Sequence, residues 1–406
     1  KKNKKGKNTR TSIMVASLNM RGHGTLGPDD TNNKWMLINQ LMRTNRIGIL
    51  AIQEAHLTEE FAEQINDLFE RRLSVIWSQG DNSRAKGIAF VINREIMSAD
   101  HNIKVDDIVP GRVAMLSIQW HNNLKLKILN VYAPNGATEN GAFWSEIQNT
   151  LEEKDLPKPD MMLGDHNTVE DSIDRLPNRS DSATTVDPLR ELQTKLGLID
   201  GWRTTNPTDK AFTWTNGRSH SRIDRIYVSR TIHNTAVDWD ITEAPGLETD
   251  HKIVSVRITN PQMPHIGTGR WTIPELLLKS KKLSKSVIAL GKKMIQEIGS
   301  IQTRTDEKNP QIIFEKFKAE VIAKARTTAK IEIPKLKKRT DDMKKDLKAT
   351  LNARNTPEAK TIADAGVLQK QITALENLRH ASIRMATKAR DAMEGETISK
   401  YWSSVN

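Results

Sequence analysis

Residues 161–171 read MMLGDHNTVED. An apolar run ends at Gly164, and Asp165 and Asn167 stand just beyond it. Gly, Asp and Asn build turns, so the plain reading is a strand running into a turn. Strand ends are also where open α/β sheets bind their ligands. A carboxylate and an amide two residues apart suit either role. The ends of the other strands decide between them.

Those strands are legible. Between residues 11 and 260 come the runs SIMVASLNM, IGILAIQE, LSVIWSQ, GIAFVIN, VAMLSIQW, LKILNVYA, AFTWT, RIDRIYVS and HKIVSVRIT. Helical spacing over Trp35–Asn45 and Glu59–Arg71 separates some of them. The mixture predicts a layered α/β domain. Beyond NPQMPHIGTGRW the rhythm changes. Residues 275–304, 310–332, 335–354 and 357–395 carry apolar residues at helical spacing, with breaks expected at Pro310, Pro334 and Pro357. Three regions result: a basic arm over 1–10, an α/β domain over 11–260 and a basic helical extension over 261–406.

The 406 residues include no cysteine, which excludes disulfides, thiolate nucleophiles and cysteine-based metal sites. No stretch reaches the roughly 18 apolar residues of a membrane span, so no membrane partner is expected. The first ten residues lack the apolar core of a signal peptide. Without an initiator Met, and ending in SKYWSSVN, the chain reads as part of a longer one. The net charge of +12 is unevenly spread: residues 261–406 hold 29 basic and 16 acidic residues, and KKNKKGKNTR adds six more basic ones. Basic ends around an acidic body suit a polyanion, although charge runs are commonly just solvated faces.

Polar residues end strand after strand in the α/β part. They are Asn19, Glu54, Tyr132 with Asn135, Asp165 with Asn167, Asp224, and Asp250 with His251. One such residue is a turn former. Six separate segments of this kind point to one site along a common sheet edge. Glu54, Asp165, Asp224 and Asp250 would repel one another unless cations intervene. Oxygen donors without sulfur favour a hard ion, Mg²⁺ first and Mn²⁺ second. Such an ion polarises a phosphoryl oxygen, and His251 beside a carboxylate can move a proton. The set points to metal-assisted hydrolysis of a phosphoester.

The ordered motifs LNMRG, QE, NVYAPN, GDHN, SRIDRI and TDH resemble the endonuclease/exonuclease/phosphatase superfamily over about residues 11–258. Within it, YAPN, SRIDRI, VEDSIDRLP and the basic stretch ending in GETISKYWSSVN are most similar to the endonuclease and linker of non-LTR (LINE-type) retrotransposon polyproteins. The resemblance implies a four-layered α/β sandwich, DNase I-like, with two packed sheets. It further implies a nuclear Mg²⁺-dependent endonuclease that nicks one DNA strand and leaves a 3′-hydroxyl for a following reverse transcriptase. The extension would hold DNA or the element's RNA.

Carried over by residue, Glu54 is the principal metal ligand, with Asn19 beside it and Asp250 nearby. Asp165 handles the attacking water, Asn167 holds water and phosphate, and Tyr132 donates to a phosphate oxygen or the leaving group. His251 pairs with Asp224 and contacts the scissile phosphate. The general base stays open between Asp165 and His251. Asn135 and Thr249 are phosphate-binding candidates. Arg218 and His220, in a hairpin tip over 216–221, are candidates for a DNA groove. His166 stands where the family usually has an aromatic such as Phe. Strand alternation turns it away from Asp165 and Asn167, into the core. His56 and Trp214 likewise read as structural. The alternatives are an apurinic or repair endonuclease, which the long extension disfavours, and a lipid or inositol phosphatase, which the basic ends disfavour. A decayed nucleic-acid-binding scaffold is the third, and the intact site set speaks against it.

Overall fold

The computed structural model describes residues 12–26, 33–80, 87–97, 103–121, 124–216, 219–259, 280–306, 308–353 and 357–395, with Ile273 and Leu277. They fall into two units: Lys1–Thr268 with Lys348–Val367, and Gly269–Leu347 with Leu368–Asn406.

In the first unit, β1 (Ser12–Asn19), α1 (Lys34–Thr44), β2 (Ile47–Gln53), α2 (Glu59–Leu68), β3 (Leu73–Ser78) and β4 (Ile88–Asn93) come first. β5 (Lys104–Val109), β6 (Val113–His121), β7 (Leu124–Tyr132), α3 (Ala137–Glu153) and β8 (Met161–Asp165) follow. Then come β9 (Arg175–Leu176), α4 (Ala183–Leu196), β10 (Leu198–Asp200), α5 (Gly201–Thr205), β11 (Trp214–Thr215) and β12 (His220–Ser221). β13 (Asp224–Ser229), α6 (Arg230–Thr235), β14 (Val237–Thr242) and β15 (Ile253–Thr259) complete the unit's sheets.

The strands form two six-stranded sheets, β14-β15-β1-β2-β4-β3 and β10-β13-β8-β7-β6-β5, and a small sheet β11-β12-β9. β1 runs parallel to β2, and β7 to β8. The period-two alternation of a strand then builds four layers. Ile49, Ile128 and Leu163 face the core between the sheets. Their neighbours Leu50, Leu129 and Met162 face outward, the first under Ile38 and Ile65 of α1 and α2, the others under Trp144 and Leu189 of α3 and α4. The domain is a four-layered, DNase I-like α/β sandwich. Its centre is not wholly apolar. Ser17 Oγ donates to Gln53 Oε1 at 3.1 Å, and Gln53 Nε2 to Asn130 Oδ1 at 2.6 Å. Asn130 Nδ2 in turn donates to the carbonyls of Ile52 and Ala89, so a satisfied buried chain of amides stitches one sheet to the other.

α1 and α2 lie within three residues of their expected bounds, the usual scatter at helix ends. β5 and β14 carry no continuous apolar run and were not anticipated from the pattern. Both are sheet edges with one neighbouring strand, where positions stay accessible: only Ile108 of β5 is buried, and no residue of β14 is.

The second unit holds most of α7 (Lys281–Gly299), α8 (Pro310–Leu351) and α9 (Glu358–Gly395). Ser280 caps α7 by accepting from Leu283 N, and its hydroxyl donates to Glu332. Leu277, Leu283 and Ala325 form a small core there. The break expected at Pro334 is absent: α8 runs through it for 42 residues. Proline removes one rung of the helix ladder, and the turns on either side carry the helix across it. The last residues of α8 belong to the first unit, where Lys348 Nζ lies 2.6 Å from Asp209 Oδ2 and Asn352 Oδ1 accepts from Lys210 N. Among the described residues no helix is long and apolar enough to cross a membrane.

Candidate active site

β1, β2, β7 and β8 end on one side of the sandwich, and the antiparallel β13 and β15 begin there. Register makes this literal, for Asp224 is the cross-strand partner of Asp165. β8 can press against β7 at this point because Gly164 sits at φ +144. A Cβ there would lie 1.9 Å from the carbonyl oxygen of Val131. The turn and the chemistry suggested by GDHN are the same object. Asn167, at φ +48, donates its backbone N–H to Asp165 Oδ1 at 3.1 Å and its side-chain amide to the carbonyl of Ala133 at 2.9 Å.

Two linked groups of side chains result. In one, Asn19 Nδ2 donates to Glu54 Oε1 at 2.9 Å and to Asp165 Oδ2 at 3.0 Å, and Tyr132 OH donates to Glu54 Oε1 at 3.1 Å. The oxygen of Asn19 accepts from Arg21 N. In this arrangement Asn19 spaces the two carboxylates with its nitrogen and turns its oxygen to the backbone. In the other group, His251 Nδ1 lies 2.9 Å from Asp224 Oδ2, and its Nε2 is 3.9 Å from Asp165 Oδ2. Burial alone would lower the pKa of His251. The carboxylates of Asp224 and Asp165 outweigh it and carry the ring up to about 10. Burial and the neighbouring Asp224 push Asp165 up. Burial and the charge of Glu54 raise Tyr132 far enough that it remains a donor.

Several positioning residues were not legible beforehand. Trp214 is not simply core: its indole N–H donates to Asp250 Oδ2 at 2.9 Å, and its backbone bridges to His251. Thr213 Oγ1 accepts from the backbone N–H groups of Ile223 and Asp224. The arginines flanking Asp224 leave it to His251. Arg222 is held by Asp174 and Asp200, and Arg225 by Glu170 and Asp174. VEDSIDRLP is thereby tied to SRIDRI by a buried ion cluster.

The other expected residues are placed as follows. Asn135 is exposed beyond the end of β7. Thr249 uses its hydroxyl to donate to the carbonyl of Asn19 at 2.8 Å and to accept from His251 N, so it fastens the TDH loop to β1. His220 does not reach from a hairpin tip. It is a buried residue of β12, pairs with Leu176 of β9 and stacks on Phe212. A short third strand, invisible to periodicity, covers it. Arg218 lies outside the described residues.

His166 is core, as alternation requires. It is fully buried and stacks on Trp144, with ring centroids 5.6 Å apart. Its Nδ1 meets the carbonyl of Gly164, and Nε2 has no partner among the described residues. Burial first, then the charge of Arg225, hold its pKa down to about 3, so the ring is neutral. His166→Phe is expected to melt at or above the temperature of the parent. It gives up one bond worth about 1 kcal/mol and relieves an unsatisfied nitrogen costing about 1–3 kcal/mol. A loss beyond about 1 kcal/mol in denaturant titration counts against this.

The donors fit a hard divalent cation. Asp165, Asp224 and His251 bring polar atoms within 4.8 Å of one another, and with the His251 ring protonated the two carboxylates are the oxygen donors of that group. Both hydrogen bonds to Glu54 among the described residues land on Oε1, which leaves Oε2 to a metal. Carboxylate oxygens in a chain without thiols select Mg²⁺-like ions over soft ones. A DNase I-like sandwich with this edge defines a metal-dependent phosphodiesterase.

The comparison with known families agrees. Residues 16–251 match the Endonuclease/Exonuclease/phosphatase family, and the chain belongs to it. Over 274 residues it is 29% identical to the Transposon TX1 uncharacterized 149 kDa protein of Xenopus laevis, a match covering 65% of this chain and 20% of that protein. The chain thus spans about a fifth of that relative's length. Among solved structures, AP endonuclease LMAP from Leishmania major shares the fold at 14% identity and TM-score 0.51, covering 62% of this chain and 89% of that one. The endonuclease domain of TRAS1, a telomere-specific non-LTR retrotransposon, aligns at 17% identity and TM-score 0.43, covering 61% and 98%.

Proposed function

We propose that this chain is the DNA endonuclease portion of a non-LTR retrotransposon polyprotein. It hydrolyses one phosphodiester of a duplex with Mg²⁺ and leaves a 3′-hydroxyl that a following reverse transcriptase extends. The observation that carries the reading is the gap between Asp165 and His251. At 3.9 Å, Asp165 Oδ2 and His251 Nε2 are too far apart to bond directly, and an oxygen of water or phosphate beside them reaches both.

In this reading Glu54 holds the metal, with Asp250 steadied by Trp214 nearby, and Asn19 keeps Glu54 and Asp165 from drifting apart. A cation held there would polarise a phosphoryl oxygen and stabilise a leaving oxyanion. Asp165 orients the attacking water, and the amide of Asn167 holds it against the phosphate. His251, fixed through Nδ1 by Asp224, turns Nε2 to the scissile phosphate as a charged donor. Tyr132 donates to a phosphate oxygen or to the leaving group. The transposon relative and the match of six motifs support retrotransposition as the setting.

The direct test is relaxation of supercoiled plasmid. Open circles should appear with Mg²⁺, and chelator should stop them. Equal conversion in both arms would count against metal-assisted hydrolysis.

The extension is assigned a grip on nucleic acid, DNA or the element's RNA. α7 carries Lys281, Lys282, Lys285, Lys292 and Lys293. Affinity for duplex should fall steeply with salt, and exchanging the first three for Gln should flatten the logarithmic slope by up to about 0.9 per lost phosphate contact. An unchanged slope removes α7 from the interface.

A further inference from the structure

An open groove of about 1160 Å³ lies beside the carboxylates, lined among others by Arg21, His23, Lys34, His56, Thr58 and Asp250. It exceeds the roughly 300–1,000 Å³ of a small-molecule site and suits a stretch of polymer. It also adjoins the chemistry. Asp250 precedes His251, and Gly22 N donates to the carbonyl of Glu54 at 2.8 Å.

The groove's side chains are not equally available. Lys34 Nζ donates to the carbonyls of Met20, Arg21 and Glu248, which spends its three protons on joining the walls. His23 packs on Phe61 with centroids 4.1 Å apart, and its Nδ1 meets the carbonyl of Gly24 at 2.6 Å. His56 is different. Its half-buried ring makes no hydrogen bond among the described residues. Gly22 lies beside it: a Cβ added there would be in van der Waals contact, 3.6 Å from Nδ1, so the glycine adds no side chain against that nitrogen.

The backbone of His56 sits at φ +47, a left-handed conformation that costs a non-glycine residue roughly 1–3 kcal/mol. Its surroundings enforce it. Ala55 and Leu57 on either side are buried, and Ala55 N donates to the carbonyl of Gly87 at 2.9 Å. The strain holds an unspent imidazole toward an open groove, two residues from Glu54. Packing alone does not require that.

We propose that His56 is a specificity-determining residue whose imidazole contacts the nucleotide next to the scissile phosphate and biases which base is accepted there. The inference rests on the endonuclease reading and assigns a substrate contact within it. An imidazole suits the task, offering nitrogens to a base edge and a flat face for stacking.

His56→Gly is the informative variant, because glycine is at ease at this φ and the fold should be kept or stabilised. Duplexes randomised around a mapped cut are nicked by parent and variant, and kcat/KM is resolved by flanking base. The parent should discriminate, and the variant should flatten the ratio of best to worst base by about fivefold or more, the scale of one base contact. An unchanged profile overturns the proposal, as does a fall in kcat with the profile intact, which would mean that His56 acts through Glu54. Should the parent nick nothing, the endonuclease reading fails. A set of duplexes differing in sequence is then bound in chelator and followed by fluorescence anisotropy. Base preference lost in His56→Gly sustains the contact, and preference equal in both proteins, or absent from both, overturns it.

Discussion

Plasmid nicking in Mg²⁺ should fall by about 10³-fold or more in His251→Ala, and comparably in Asp165→Asn, while duplex affinity stays within a few-fold of the parent. In the proposed reading Asp165, fixed by Asn19 at 3.0 Å, orients the water, and His251, fixed by Asp224 at 2.9 Å, donates to the phosphate. Losing either leaves one of the two reacting groups without its partner. Alanine removes the donor held toward the phosphate. Asparagine keeps the shape of Asp165 but not the charge that orients water. Groups acting as one unit are strongly non-additive, so the double variant should be little worse than the poorer single one. Rates are compared in single turnover, with melting temperatures alongside to exclude unfolding. Either single variant within tenfold of the parent, folded and binding, would remove that residue from the chemistry.

The legible part of this site followed from one physical circumstance. Parallel β1–β2 and β7–β8 pairs bring strand ends to a common edge, so chemistry-bearing residues close every apolar run that leads there. IGILAIQ could be read because both faces of β2 are buried and its hydrophobicity is unbroken. KVDDIV could not, because two adjacent acidic residues interrupt its apolar positions and its pairing shifts register between Asp107 and Val109. The same limit hid the partners that complete the site. Trp214 reaches Asp250 across 36 residues, and Arg222 reaches Asp174 across 48. No local period reports such pairs. His220 was misplaced for a related reason, since β9, the strand that buries it, has only two residues. The open groove beside His56 and its left-handed backbone left no trace in the sequence, where one strand-end imidazole resembles another.

The largest effect on stability is expected at Asp174, in the buried ion cluster. Its side chain is fully buried and accepts from Arg222 Nε at 2.8 Å and Nη2 at 2.6 Å, from Arg225 at 3.4 Å, and from Arg203. Asp174→Ala leaves two buried guanidinium groups with only Asp200 and Glu170 to share, and should cost about 3–5 kcal/mol, the usual consequence of breaking a buried ion pair from one side. Because Arg222 N also donates to the carbonyl of Asp174 and Arg222 lies two residues before Asp224, partial loss of nicking should accompany the loss of stability. Acid gives a second handle. Burial alone would raise the Asp174 carboxyl, but the hydrogen bonds of Arg222 and the charges of Arg222, Arg225 and Arg203 bring it down to about 2 from an ordinary 3.8. A group depressed on folding stabilises fully above its unfolded pKa, because below it the unfolded chain binds the extra proton. Its contribution, on the order of 2 kcal/mol, should therefore be intact above about pH 4 and disappear as pH falls toward 2. Urea midpoints across that window should slope more steeply for the parent than for Asp174→Asn, which has no proton to take up. Parallel slopes, or a loss below about 1 kcal/mol in Asp174→Ala, would mean that Asp200 and Glu170 alone suffice to hold the two arginines.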